Sequence, residues 1–177
     1  LNQLNEGFKC PITQIELSPK LSKNDINNLK KGQKIMTNML RDFHTICSKH
    51  NITYFIFAGN LIGSKLYKGF IPWDADVDLY VLSDDYPKLE KILIDKPPTK
   101  TWYQTLKTDT NYTRSPGNNN PLPKGKLRDL NSCYLNCQDG VKWHNGLQID
   151  INIFKVINDK IIFETQNPGE IRIQKNI

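Results

Sequence analysis

The first strong pattern along the chain is helical. Apolar residues recur three or four positions apart over 26–47, the spacing that gathers them on one face of a helix. Ser22, followed three positions later by Asp25, resembles a capping box and predicts where this helix begins. Asn51 is its predicted end. Gly32 interrupts the pattern, so we expect the helix to be broken or kinked there.

The rest of the chain alternates between strand-like and helix-like segments. Runs of β-branched and aromatic residues predict strands, and short amphipathic runs between turn residues predict helices. The expected strands are 53–57, 77–82, 102–106, 126–136, 147–157 and 161–164, the expected helices are 60–68 and 84–94, and 158–160 is a predicted hairpin turn. This order predicts an α/β (or α+β) fold, a mixed β-sheet flanked by helices.

The length of the chain and the positions of its irregular segments suggest one domain after a short arm. Residues 1–21 show no strong period and are predicted to form an N-terminal arm, and 22–177 a single domain. Residues 108–125 are rich in Pro, Gly and Asn and are expected to form a long loop. The longest charge-free apolar stretch, 52–63, is much shorter than the roughly 20 residues of a membrane-spanning helix. Since the chain begins at Leu1 rather than Met, we expect a processed or excised piece.

Charge and cysteine usage narrow the function classes only a little. The formal net charge is +6, from 24 Lys and Arg against 18 Asp and Glu, which hints at a phosphate-bearing partner. Four cysteines are too few for the disulfide framework of a small secreted domain, and no histidine completes a zinc site. Cys47 is expected to be a buried small residue. Whether Cys133 and Cys137 pair is left open.

An acidic segment carries the most chemical information. Asp74, Asp76 and Asp78 alternate along the entrance of a predicted strand, so their side chains are expected on one side. Asp150 is a lone acid within a second predicted strand, where an unpaired carboxylate is costly. If the two strands are neighbours, the acids can share a divalent cation, Mg²⁺ or Mn²⁺, with substrate phosphates. The alternative is a solvated turn at the strand entrance.

A small-residue turn precedes the acidic segment. Gly59 and Asn60 lie between a predicted strand and a predicted helix, where backbone N–H groups can approach a phosphate at the helix N-terminus. Lys126 and Arg128 alternate on a later strand and can balance phosphate charge, although a solvated strand face would show the same pattern. Trp73 is expected to pack in the core beneath the turn that leads to the acids.

These residues carry a family resemblance. The segment Ala-Gly-Asn-Leu-Ile-Gly at 58–63, the segment Gly-Phe-Ile-Pro-Trp-Asp-Ala-Asp-Val-Asp-Leu at 69–79, Lys-Leu-Arg-Asp at 126–129 and the acidic strand around Asp150 resemble the signature of the LicD and fukutin-related phosphotransferase family. The similarity runs over about 35–156. It departs from the usual form at Asn60, where Thr, Gly or Ser is common, and at Ala75, where Asp is frequent.

The resemblance implies a nucleotidyltransferase-like fold with a metal-dependent site. It assigns catalysis to Asp76, Asp78 and Asp150, and metal binding to these three with Asp74 as a further ligand or a supporting residue. It assigns substrate contacts to Gly59, Asn60, Lys126, Arg128, Gln104 and His144. The implied reaction moves a phospho-alcohol group, of the phosphocholine or ribitol phosphate type, from a CDP-linked donor to a hydroxyl of a glycan or glycoconjugate.

Two other functions compete with this one. The first is nucleotidyl transfer from a nucleoside triphosphate to a small molecule or protein, which the same fold supports. The second is a non-enzymatic basic module that binds nucleic acid, which would need basic residues clustered with aromatics. Here the basic residues are scattered and an acidic face is present, so we expect no nucleic acid partner. The expected compartment is the secretory pathway for a eukaryotic source and the cytoplasm for a bacterial or viral one.

Overall fold

The protein folds as a mixed sheet with helices packed on it, which confirms the predicted α/β class. The computed structural model describes residues 22–110, 112, 122–134, 146–164 and 171–173, the last three by their backbone alone. Its elements are α1 (Lys23–His50), β1 (Tyr54–Ile56), α2 (Ala58–Leu66), β2 (Asp78–Leu82), α3 (Tyr86–Asp95), β3 (Thr101–Gln104), β4 (Gly125–Asp129), β5 (Gln148–Ile157), β6 (Lys160–Glu164) and β7 (Ile171–Ile173).

The sheet is built around β5. Its strand order is β1-β2-β5-β4-β3, with β6 paired to the later half of β5 and β7 paired to β6. The pairing of β2 with β5 is parallel, whereas the pairings of β1 with β2, β3 with β4 and β4 with β5 are antiparallel. Parallel neighbours need a long crossover connection, and here α3, β3 and β4 lie between β2 and β5 in the chain.

The apolar core lies on one face of this sheet. Alternate residues of a strand point to opposite faces, and Leu79, Val81, Ile149 and Ile151 turn to the core face, where none is more than 5% exposed. The side chains that α1 and α3 contribute to the same cluster are Met36, Met39, Phe43, Cys47, Leu89 and Leu93. The alternate strand positions therefore point to the other face of the sheet, where the polar residues of the candidate site lie.

Helix α1 follows its predicted ends but not its predicted break. Ser22 and Asp25 form the capping box, and Asn51 closes the helix in the left-handed conformation with φ 51°. The expected break at Gly32 is wrong, because the helix is continuous through it. Gly32 is buried in the face turned to the sheet, and a Cβ there would lie 3.4 Å from Leu147 Cδ2. The missing side chain therefore makes room for a neighbour and does not interrupt the helix.

Other boundaries shift by a few residues. Helix α2 begins two residues earlier than expected, at Ala58 with φ 47°, and β4 ends at Asp129 rather than continuing to 136. Asn158 and Asp159, both at positive φ, form the predicted hairpin turn. Strand β7 was not predicted. The arm at 1–21, most of the loop at 108–125 and residues 135–136 lie outside the described residues.

The two cysteines within the described residues differ in state. Cys47 is free and 1% exposed, as expected. Cys133 is disulfide-bonded, and its partner lies outside the described residues. The low cysteine count therefore did not exclude an individual disulfide.

Among the described residues, no helix is both long and apolar enough to cross a membrane.

Candidate active site

A row of polar side chains crosses four strands of the sheet. The register pairs Gln104 of β3 with Lys126 of β4, Lys126 with Asp150 of β5, and Asp150 with Asp78 of β2. Residues paired in this way point to the same face. The structure thus brings Asp78 and Asp150 side by side from strands far apart in sequence, with Lys126 next to them. We call these three residues the acidic row.

Lys126 forms an ion pair with Asp150. Its Nζ lies 2.8 Å from Oδ1 and 2.9 Å from Oδ2 of Asp150. The lysine side chain is 1% exposed and that of Asp150 is 16% exposed, so the pair is largely withdrawn from water. The alternative that Lys126 and Arg128 belong to a solvated strand face is wrong, because each is only 1% exposed. Lys126 instead supplies positive charge inside the acidic row.

Asp78 and Asp76 hold their protons more tightly than ordinary aspartates. Burial raises the pKa of Asp78 to about 7, and the Asp150 carboxylate adds to this rise while Lys126 opposes it. Desolvation also raises the pKa of Asp76 to about 6, with a further contribution from its contact with Asp74. Lys126 only partly offsets the negative charge collected here. A group of carboxylates that needs more positive charge is typical of a functional site.

Asn60 holds the backbone of the acidic segment in place. Its Nδ2 donates to the Asp76 carbonyl at 2.9 Å, and its Oδ1 accepts from the Asp78 N–H at 2.6 Å. Asn60 is 9% exposed, and its backbone N–H donates to the Phe57 carbonyl. Its side chain therefore positions the two aspartates, a role that sequence reasoning missed when it assigned Asn60 to substrate.

A tight turn places Asp74 against the start of α2. The Asp74 N–H donates to the Ile71 carbonyl at 2.9 Å, and Gln33 of α1 donates to the carbonyls of Ile71 and Asp74. The Asp74 carboxylate lies over Gly59, where a Cβ would come within 2.7 Å of Oδ2. That oxygen is buried and has no hydrogen-bond partner. Gly59 thus makes room for an acid, and Gln33 is a supporting residue without a signal in the local motif.

Gln104 and Arg128 form a buried network beside the acidic row. Arg128 Nε donates to Gln104 Oε1 at 2.5 Å, and Gln104 Nε2 donates to Asp109 at 2.7 Å. Arg128 also donates to the Gly146 carbonyl. Gln104 is 0% exposed. In this arrangement the two side chains bond to each other between β3 and β4, which differs from the expected substrate contact.

Two other residues were expected near the site. Trp73 was predicted to lie in the core, and this is wrong: it is 69% exposed and meets Tyr67 edge-on with ring centroids 6.3 Å apart. The turn at 71–74 directs it outward, away from the buried Asp74 oxygen. His144 lies outside the described residues, so its proposed substrate contact stays a prediction.

The donor set suits a hard divalent cation completed by substrate. Within the described residues, no three Asp, Glu, His or Cys side chains already form a metal cage. Mg²⁺, however, commonly takes only one or two carboxylates from the protein and completes its coordination with water and phosphate oxygens. The raised pKa values of Asp76 and Asp78 and the unpartnered Asp74 oxygen mark where positive charge is needed. Asp76 and Asp78 are the residues that would hold such an ion.

Comparison with known proteins assigns the family. Residues 51–168, two thirds of the chain, match the nucleotidyltransferase domain described as LicD/FKTN/FKRP. The chain belongs to the LicD family. The matched LicD range contains α2, β2, β4 and β5, and with them Asp76, Asp78, Lys126 and Asp150.

Individual relatives resemble a shorter stretch. The chain is 42% identical over 60 residues to the lipopolysaccharide cholinephosphotransferase LicD of Haemophilus influenzae, covering 34% of this chain and 23% of that protein. It is 34% identical over 64 residues to an uncharacterized protein of Rickettsia prowazekii, covering 35% of this chain and 24% of that protein. The matched stretches thus span about a quarter of the relatives' own length.

Proposed function

We propose that this LicD-family chain transfers a phospho-alcohol group, of the phosphocholine or ribitol phosphate type, from a CDP-linked donor to a hydroxyl of a glycan. The observation that carries the proposal is the register that sets Asp78, Asp150 and Lys126 in one row on the face of the sheet opposite the apolar core. The Lys126 ammonium group is suited to bind a phosphate directly, whereas the carboxylates beside it are suited to bind one only through a divalent cation.

The reaction follows from the charges in that row. The acceptor hydroxyl oxygen forms a bond to the phosphorus that bears the alcohol, the bond from this phosphorus to the bridging oxygen breaks, and CMP leaves. A bound divalent cation would supply neutralisation of the diphosphate charge. Asp76 and Asp78 are assigned to holding it, and Asp150 to receiving the proton of the acceptor hydroxyl.

Lys126 would contact different partners in the free and the substrate-bound protein. In the free protein its ammonium group contacts both oxygens of Asp150, so this carboxylate is already engaged by a cation before substrate binds. A donor phosphate next to the pair offers Lys126 another anionic partner. Sharing of the ammonium group with phosphate would release Asp150 to act as a base when substrate is present.

The test compares possible donors and identifies the leaving group. The chain is incubated with Mg²⁺ or Mn²⁺ and, in turn, with CDP-choline, CDP-ribitol, CTP and ATP, with glycan acceptors present. Release of CMP from a CDP-alcohol supports the proposal, whereas release of pyrophosphate from a triphosphate would establish nucleotidyl transfer instead. Asp76→Asn and Asp78→Asn should each lower turnover by about 100-fold or more. Asp42→Asn, an exposed change on α1, is the matched control.

A further inference from the structure

The outer side of α2 and the turn that follows it expose five large apolar side chains. We call them the α2 patch, and they are Leu61, Ile62, Leu66, Tyr67 and Trp73, with exposed fractions of 49, 51, 69, 47 and 69%. Single exposed apolar residues are ordinary on protein surfaces, but a contiguous group of them marks an interaction surface. The contacts and charges around the group indicate what it meets.

Helix geometry makes the α2 patch continuous. Asn60 and Gly63 turn inward, where Asn60 bonds the acidic segment and a Cβ on Gly63 would lie 2.5 Å from the Gly69 carbonyl oxygen. Residues 61, 62, 65 and 66 therefore share the opposite, outward side. Tyr67 continues this side at the helix end, and its edge-on contact with Trp73 joins the turn to it.

The segment that carries the patch has charged side chains of one sign. Residues 58–73 contain two basic side chains, Lys65 and Lys68, and no acidic one. Both lysines are exposed, and Lys65 lies on the same side of α2 as the apolar residues. Leucine and isoleucine side chains flanked by Tyr, Trp and Lys are the combination that binds at the boundary between lipid headgroups and acyl chains.

We propose that the α2 patch seats this domain on an anionic lipid surface. Charge complementarity favours this occupant over a neutral apolar partner, because the lysines would face negative headgroups while the apolar side chains enter the interface. The proposal does not depend on the enzymatic activity, and vesicle binding tests it separately.

The experiment measures sedimentation of the 177-residue chain with vesicles. We expect the chain to bind phosphatidylcholine vesicles that contain about 30% phosphatidylglycerol at least about tenfold more strongly than pure phosphatidylcholine vesicles. Each lysine near such a surface strengthens binding by about fivefold, so Lys65→Gln with Lys68→Gln should weaken it by about 30-fold. Lys49→Gln with Lys91→Gln, two exposed lysines on other helices, makes the same change in net charge and should change binding little.

A second pair of variants tests the apolar contribution. Ile62→Gln with Leu66→Gln should weaken vesicle binding by about tenfold or more, whereas Leu106→Gln with Val156→Gln, which are equally exposed elsewhere, should not. Circular dichroism verifies that each variant is folded, and release of the wild-type chain from vesicles by added salt is a measurement that needs no variant.

Three results would overturn the proposal. The first is a wild-type chain that ignores anionic vesicles. The second is an equal loss of binding in the patch and control pairs, which would indicate attraction by net charge alone. The third is a wild-type chain that dimerises in size-exclusion chromatography without binding vesicles and becomes monomeric in Ile62→Gln with Leu66→Gln, which would assign the patch to a second copy.

Discussion

Replacing Asp78 by Asn should stabilise the fold at alkaline pH while removing activity. Burial raises the pKa of Asp78 in the folded protein to about 7, against an ordinary value of 3.8. Between these values the folded state binds more protons than the unfolded state, so the free energy of unfolding falls as the pH rises. The ionised carboxylate thus works against folding, and the penalty is complete only above the folded pKa.

The size of the effect follows from the shift. A rise in pKa from 3.8 to about 7 corresponds to a penalty of about 4 kcal/mol above the folded pKa. Water reaches the half-buried side chain and reduces this penalty, so we expect Asp78→Asn to gain about 2–4 kcal/mol at about pH 8. At about pH 5 much of the wild-type carboxylate is already protonated, and the gain should shrink to about 1–2 kcal/mol.

Urea denaturation followed by circular dichroism, in buffer with a chelator, measures both values. The wild type should lose stability between about pH 5 and about pH 8, and Asp78→Asn should lose less. Asp42→Asn, an exposed carboxylate on α1, should keep the wild-type slope. An Asp78→Asn variant that is less stable than wild type at the higher pH, or that keeps the same slope, would refute the conclusion that this site is short of positive charge.

Three further predictions concern the supports of the site. Lys126→Met or Asp150→Asn alone should lower the free energy of unfolding by about 3–5 kcal/mol, because each removes one side of a buried ion pair. The double variant should recover part of this loss in a double-mutant cycle. Asn60→Ala should cost about 2–3 kcal/mol in thermal unfolding and lower turnover, because two backbone groups of the acidic segment lose their partner. Gly63→Ala should cost about 1–3 kcal/mol, because its Cβ would lie 2.5 Å from a backbone oxygen, whereas Gly69→Ala, with nothing within 4 Å, should be neutral.

These predictions fail on distinct results. Additive losses in the Lys126 and Asp150 double variant would show that the two side chains are not coupled. Unchanged stability and turnover in Asn60→Ala would remove its positioning role. Equal effects of Ala at Gly63 and Gly69 would mean that α2 does not pack closely on the following turn.

Local signals in the sequence were sufficient to predict most helices and strands and to identify Asp78 and Asp150 as candidate site residues. The capping box at Ser22 and the turn at Asn158 and Asp159 depend on neighbouring residues only, and both are present in the structure. The meeting of Asp78 with Asp150 followed from the cost of an isolated acid in a buried strand, a constraint that a sequence does carry. Features that depend on residues close together in the chain can therefore be predicted from the sequence alone.

Features that depend on packing between residues far apart in the chain could not be predicted from the sequence. Gly32 was predicted to break α1, but its role depends on contact with Leu147, which directly precedes β5 and lies more than a hundred positions later in the chain. Trp73 was predicted to pack in the core beneath the turn before the acids, and a turn held by Gln33 instead directs it to solvent. Arg128 had the pattern of a phosphate contact, yet its hydrogen bond to Gln104 is formed only when β3 pairs with β4.

The parallel pairing of β2 with β5 also governs when the site can form during synthesis. Asp78 and Asp150 are separated by 72 positions in the chain, which a ribosome adding about 5–20 residues per second needs roughly 4–14 s to make. Until β5 emerges, β2 has only β1 beside it and Asp78 is without its neighbour. Because such long-range pairing is also slow in refolding, assembly of the acidic row should be among the last events as this domain folds.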